Sequence, residues 1–161
     1  MKAVAIILIV LLLAAVCAVC FLYFTANLSI HFESCVATDA VTQVDYFNQM
    51  KSQVENKSFV GTIYDSQELG AADQYQFLTY TVSVQNRAFL NADIVELQIT
   101  PMPGDVLLLG DVQLHSIPGG KTETLTATIL TARDVHTSVR EGTVTWYFWG
   151  KAFSAKLTLG Q

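Results

Sequence analysis

YQFLTYTVSVQ, residues 75–85, alternates with a period of two. Leu78, Tyr80, Val82 and Val84 fall on one side of an extended chain. Phe77, Thr79, Thr81 and Ser83 fall on the other. Side chains alternate across a strand, so the stretch reads as a strand with one buried face. The same signal recurs outward from it. Thr122–Thr131 places Leu125, Ala127 and Ile129 on one face. Thr143–Trp149 and Ala152–Leu159 read as a hairpin across a two-residue Gly150-Lys151 turn. Between these lie a turn or bulge over 86–91, a strand carrying Ile94, Leu97 and Ile99, and a shorter strand from Val106 to Leu114 broken by Gly110. Pro101 and Pro103 end a ladder because they lack N–H donors, and Pro118-Gly119-Gly120 is a turn.

On the N-terminal side, 65–73 is a polar loop and Phe59–Tyr64 a strand. Asp45 is placed to cap a helix over 46–56, with Phe47, Met50 and Val54 on one face. Leu28–Phe32 alternates as another strand. About seven short, regularly punctuated strands follow that one short helix, which predicts an antiparallel immunoglobulin-like β-sandwich. No helical period separates the later strands, which argues against parallel βαβ units.

Tyr80-Thr-Val82-Ser-Val84-Gln-Asn86, followed by Ala92 and Val95-Glu-Leu97, resembles the strand, Asn, loop, strand signature of small bacterial adhesion-type domains, the CARDB class. It is also similar to the late-embryogenesis-abundant, water-stress type of β-sandwich. The stretch from Ile117 to Leu125 resembles the Gly turn and alternating strand that follow in both. The resemblance spans about residues 75–131, with Arg87-Ala88 standing where a Gly usually follows the Asn. It implies a non-enzymatic domain. The whole chain is similar to small single-pass proteins of bacterial envelopes.

Location is set by Ala3 to Phe24, an uncharged and almost wholly apolar run with Lys2 ahead of it. At about 1.5 Å per helical residue it spans roughly 33 Å, enough for a hydrocarbon core of about 30 Å. A cleaved signal peptide competes, as does lipidation at Cys17 or Cys20. Length and the bulky Phe21, Leu22, Tyr23 and Phe24 favour an uncleaved anchor. Lys2 precedes the run, and Glu33 and Asp39 come before the next basic residue, Lys51. The positive-inside bias therefore keeps the N-terminus cytoplasmic and the rest extracytoplasmic. The expected organisation is an anchor over 1–26, a strand, connector and short helix over 27–58, and a β-sandwich over 59–161.

All 14 acidic residues lie beyond the run, with every basic residue except Lys2, so that part is more acidic than the chain's net −5. Such a balance argues against nucleic acid and against electrostatic adhesion to anionic lipid. Cys35 is the one cysteine beyond the run. It is either an inert, buried thiol or the site of an intermolecular disulfide in a homo-oligomer.

Catalytic signals are weak. His31, His115 and His136 are scattered, with no metal-ligand spacing. Asp134 and His136 read as a loop ion pair rather than a dyad. Ser58, Ser66, Ser116 and Ser138 have no nucleophile-elbow context. No metal or cofactor is expected. Trp146-Tyr147-Phe148-Trp149 is the most distinctive segment outside the anchor. It reads as a central strand buried on both faces, or as one presenting Tyr147 and Trp149 outward, with Tyr75 or Phe153, as a partner-binding platform. These features point to a non-catalytic, membrane-anchored binding or scaffolding module of the cell envelope with a protein or envelope-polymer partner. The alternative is a small carbohydrate-binding domain or hydrolase that uses the 146–149 strand.

Overall fold

The computed structural model describes residues 2–65, 68–110, 115–135 and 137–160. Helix α1 (Lys2–Thr25) carries the apolar span, Ala3–Tyr23, none of it buried against the rest of the protein. It is long and apolar enough to cross a membrane. Thr25 closes its last turn, donating from Oγ1 to the carbonyls of Phe21 at 3.0 Å and Leu22 at 3.2 Å.

Strand β1 (Leu28–Asp39) starts three residues after α1 ends. It is followed by α2 (Val44–Glu55), β2 (Thr62–Ile63), β3 (Tyr75–Asn86), β4 (Ala92–Ile99), β5 (Asp105–Gly110), β6 (His115–Ile117), β7 (Thr122–Ala132), β8 (Arg140–Phe148) and β9 (Lys151–Leu159). They form two antiparallel sheets, ordered β1-β3-β7-β5-β2 and β6-β4-β8-β9. In chain order, β1, β3, β4, β5, β7, β8 and β9 take the A-to-G places of a constant-type immunoglobulin sandwich, A-B-E-D against C-F-G. The short strands β2 and β6 extend one edge of each sheet. The protein is mainly β, an apolar N-terminal helix followed by an antiparallel β-sandwich with one short further α-helix.

The predicted faces of β3 and β7 hold. Leu78, Tyr80, Val82 and Val84 are buried with Leu125, Ala127 and Ile129 between the sheets, against Val95, Val144 and Trp146. The outer face of the larger sheet has a cover too. Phe77, Leu130 and Leu107 lie in register across β3, β7 and β5. Phe47 and Met50 of α2 close over them in a second apolar cluster.

Several elements differ from the sequence reading. β1 runs on to Asp39 and pairs with β3 from Leu28–Asn86 to Asp39–Gln76, so the sandwich takes in residue 28 onward, ahead of the boundary expected at 59. An extra residue at Glu33, between Phe32 and Ser34, breaks the alternation and hides that length. Asp45 is not the cap. The 3-10 turn Ala40–Gln43 runs straight into α2, Gln43 takes the cap position, and Asp45 falls in the first turn. There its charge faces the positive helix end. Of 59–64, only Thr62–Ile63 is strand. Ile94 lies in β4 with Leu97 and Ile99 as expected, but a bulge between Asp93 and Glu96 puts it at φ +51° and it points outward. The expected strand tail after Gly110, residues 111–114, lies outside the described residues.

Tyr64 links the sheets by donating from its hydroxyl to the Ile99 carbonyl at 2.8 Å. Burial, and after it the Asp105 carboxylate, push its phenol from 10 up to about 12. A raised phenol is fully stabilising below the unfolded value and loses that contribution as pH rises through the folded one. The unfolding midpoint is therefore expected to fall between about pH 10 and 12. Tyr64→Phe should shallow that fall, measured by guanidinium unfolding of the full chain in mild detergent across alkaline pH.

Candidate functional site

Helix α1 and the aromatic segment meet at one end of the sandwich. α1 leaves beside the start of β1, the end of β3 and the β8–β9 hairpin. Phe148 pairs with Lys151, so the hairpin turn is Trp149-Gly150, one residue earlier than expected. Both turn residues have positive φ, +49° and +73°. That is the type I′ geometry that matches the twist of paired strands. It lifts Trp149 out of the strand, so Trp149 and Tyr147 do not share a strand face. Trp149 is 65% exposed, whereas Tyr147 is half-buried, opposite Asp93 on β4 and Ala152 on β9.

The inward partners on the same strand form an aromatic wall. Trp146 stacks on Phe153, with centroids 6.0 Å apart and planes 13° from parallel, and Phe148 meets Phe153 edge-on at 5.8 Å. Tyr23 of α1 also packs on Phe153, tilted at 52° with centroids 5.7 Å apart. The Lys151 ammonium donates to the Tyr23 hydroxyl and lies 4.4 Å from that ring's centroid. Leu22, Tyr23, Leu90, Trp149 and Lys151 enclose a cavity of about 190 Å³ with Phe153 at its wall. The indole N–H of Trp146 is buried without a hydrogen-bond partner among the described residues.

Loop 87–91 completes this end. Asn86, fully buried, holds it from inside. Its side-chain amide donates to the carbonyls of Leu90 at 2.7 Å and Ile117 at 2.8 Å, and its Oδ1 accepts from the Ala88 N–H at 2.9 Å. Gly119 packs so closely beneath that a Cβ there would lie 2.7 Å from the Ala88 carbonyl oxygen. Phe89, in the loop that Asn86 braces, is 77% exposed. The reading of 86–91 as a turn or bulge does not single out Phe89. An apolar ring inside an otherwise turn-like NRAFLN stretch was the available signal.

The other sequence-predicted residues are dispersed. Tyr75 lies at the opposite end, stacked on Phe47 at 5.7 Å, with its hydroxyl accepting from the Gly70 N–H. It cannot join Trp149 in one platform. Phe153 faces inward. Cys35 lies opposite Tyr80, packed on the core and half-buried. Burial pushes its thiol up, against the opposing pull of Tyr80 and Arg140, which disfavours the reactive thiolate. Ala3 begins the apolar span and Phe24 belongs to the last turn of α1. His31 contacts the Ser29 hydroxyl at 3.0 Å, and His115 meets Glu123 at 3.2 Å. Ser116 donates to Asp93, and the Ser138 carbonyl accepts from Tyr80. His136, and with it the Asp134–His136 pair, lies outside the described residues, as does Ser66. Among the described residues no three metal-ligating side chains converge.

Trp149 is costly where it stands. A left-handed conformation costs an L-residue about 1–2 kcal/mol, and Asn-Gly is the favoured pair in a type I′ turn. Trp149→Asn is therefore expected to raise folding stability by about 1 kcal/mol, read from the denaturant midpoint of the full chain in detergent. A lowered midpoint would mean that the indole's contacts with the α1 end outweigh the backbone strain.

No protein-family model matches the chain, and no curated protein matches it. Among solved structures it is similar to one described as an uncharacterized β-sandwich protein from Clostridium difficile 630. The identity is 11%, the match covers 81% of this chain and 85% of that one, and the TM-score is 0.33.

Proposed function

We propose that this protein is a non-catalytic, single-pass module of the cell envelope. α1 crosses the membrane with its N-terminus in the cytoplasm, and the sandwich stands on the extracytoplasmic side as a binding or spacing element of the adhesion or water-stress type. The observation that carries the reading is the continuity of α1 with the sheet. An apolar span of 21 residues, none of them buried, passes within a few residues into a 12-residue strand. At about 3.3 Å per residue that strand runs roughly 40 Å, so the Asp39 and α2 end is held well away from the helix exit. That far end suits presentation to a protein or envelope polymer.

The carbohydrate reading needs Tyr147 and Trp149 on one outward face beside clustered carboxylates. Trp149 sits in the turn and Asp93 is the acid opposite Tyr147, so the spacer reading has the better support. The test is fractionation of cells carrying the C-terminally tagged full chain, with alkaline extraction of membranes and protease treatment of intact cells. Resistance to extraction together with loss of the tag in intact cells is the expected result. A tag digested only after lysis overturns the orientation, and a freely secreted chain overturns the anchor.

A further inference from the structure

We propose that the helix-exit end of the sandwich is a lipid-binding surface. Phe89 and Trp149 seat in the bilayer interface from which α1 emerges, and Arg87, Lys121 and Lys151 engage the headgroups of anionic phospholipids. The proposal rests on the reading of α1 as a bilayer-spanning helix.

Depth is the first argument. The apolar span ends at Tyr23. Leu90, Trp149 and Lys151 enclose one cavity with Leu22 and Tyr23, so these loop residues stand level with the last apolar turn. Tryptophan and tyrosine rings are favoured at that level, where an apolar body and a polar edge are both accommodated. The pairing of Lys151 with the Tyr23 hydroxyl sets an ammonium at the same height.

Exposure is the second. Among the described residues beyond α1, Phe89 at 77% and Trp149 at 65% are the most exposed large apolar side chains. They belong to separate loops, and the topology brings both to this end. Phe89 is presented by the loop that Asn86 braces, and Trp149 is kept at a turn position that disfavours it. Backbone strain retained at an exposed aromatic fits a residue selected for contact rather than for folding.

Charge is the third. The net acidity of the domain is not spread evenly. Arg87 shares a surface cleft with Thr25, Asn27 and Ser29, and the Lys121 carbonyl accepts from the Asn86 N–H, so both stand beside the helix exit with Lys151. All three are exposed. Two acids on the strands that reach this end are already engaged by neighbours. Asp93, opposite Tyr147, accepts from Ser116 at 2.7 Å, and Glu123, opposite Val84, is met by His115 at 3.2 Å. Asp39, Asp45 and Asp73 belong to elements at the far end, and Asp134 follows the far end of β7. A basic, aromatic-tipped face at the root of a membrane helix complements an anionic surface, whereas the whole-chain charge does not.

The experiment uses the full chain in vesicles of phosphatidylcholine mixed with phosphatidylglycerol, and in vesicles of phosphatidylcholine alone. Co-flotation with vesicles after alkaline washing reports the α1 reading by itself. Trp146→Phe leaves Trp149 as the sole tryptophan and removes an unpartnered buried donor. If that variant does not fold, subtracting the Trp149→Phe spectrum from that of the parent isolates the same signal. The expected result in mixed vesicles is strong quenching of Trp149 by brominated lipid and weak quenching by aqueous iodide. Each basic contact is expected to shift the docking equilibrium by about fivefold, so Arg87→Glu/Lys121→Glu/Lys151→Glu should restore iodide access while co-flotation persists. A chain that floats but keeps Trp149 open to iodide overturns the docking and leaves the span intact. Trp149 shielded from both quenchers indicates a protein contact and also overturns it. Equal lipid quenching in phosphatidylcholine alone overturns the anionic headgroup assignment. A chain that does not float overturns the span, and the docking with it.

Discussion

Arg140→Met is expected to cost the fold about 3–5 kcal/mol, which is a large part of the stability of an ordinary domain. Arg140 opens β8 and Asp105 opens β5, so their side chains join the two sheets. Both are fully buried. The pairing is bidentate, Nε donating to Oδ2 at 3.0 Å and Nη2 to Oδ1 at 2.8 Å. Nη1 donates to the carbonyls of Thr137 at 2.8 Å and Val139 at 2.9 Å, and Asp105 Oδ2 also accepts from the Met102 N–H. Burial alone would lower the guanidinium pKa, but the hydrogen bond and charge of Asp105, with Tyr80 and Cys35 adding to them, hold the group above its ordinary value. Removing the arginine strands a carboxylate in a dry interface, and Asp105→Leu strands the guanidinium in the same way. The double variant is expected to cost less than the sum of the two, because no charge is then left buried. It should still fall short of the parent, since the Met102 N–H and the Thr137 and Val139 carbonyls lose their partners. Guanidinium unfolding of the four chains closes the cycle. A single substitution costing under about 1 kcal/mol would show that water reaches the pair.

Nothing in the local pattern announces that pair. Asp105 follows Pro103-Gly104 and Arg140 precedes Glu141-Gly142, and each reads as a solvated residue beside a turn. They meet because β5 and β8 open at the same end of the sandwich from opposite sheets, and only the assembled topology brings them together. By contrast β3, β7 and the final hairpin were legible, because alternation with one buried face is a local signal and each of them has it. The hairpin turn slipped by one residue for a physical reason. A Gly-X turn and an X-Gly turn are both allowed, and favouring the first placed Trp149 in the strand. β1 was read short because its bulge reverses the alternation midway.

The candidate site was less legible than the fold. Net charge averages over the surface, so the acidic balance hid three cations gathered beside α1. Phe89 and Trp149 are 60 positions apart in the chain and share an end only through the order of the strands. Tyr75 and Trp149 looked like partners by chemistry, yet they occupy opposite ends of the sandwich. Residue type identified the aromatic candidates, and topology decided which of them stand together.

Phe47→Ala is expected to cost about 3–5 kcal/mol, and to cost it in a way that separates α2 from the sandwich. Phe47 is 1% exposed, stacked on Tyr75 at 5.7 Å, with Met50 one turn further along. Together they cover Phe77, Leu130 and Leu107 on the outer face of the larger sheet. A 12-residue helix is marginal by itself in water, and α2 has no side-chain cap at its start, so its helicity depends on that apolar seat. Truncating the ring removes the helix's largest anchor and opens a cavity beside Met50 and Leu69. The amides of α2 should then lose most of their hydrogen-exchange protection. β3 and β7, held by pairing on both sides and by the inter-sheet core, should retain more of theirs. Val54→Ala, two turns on from Phe47 at a half-buried position, is expected to cost clearly less. Equal losses at 47 and 54 would mean that α2 sits loosely on the sheet. Uniform loss of protection across β3, β7 and α2 would mean that the outer cluster and the inter-sheet core unfold as one unit.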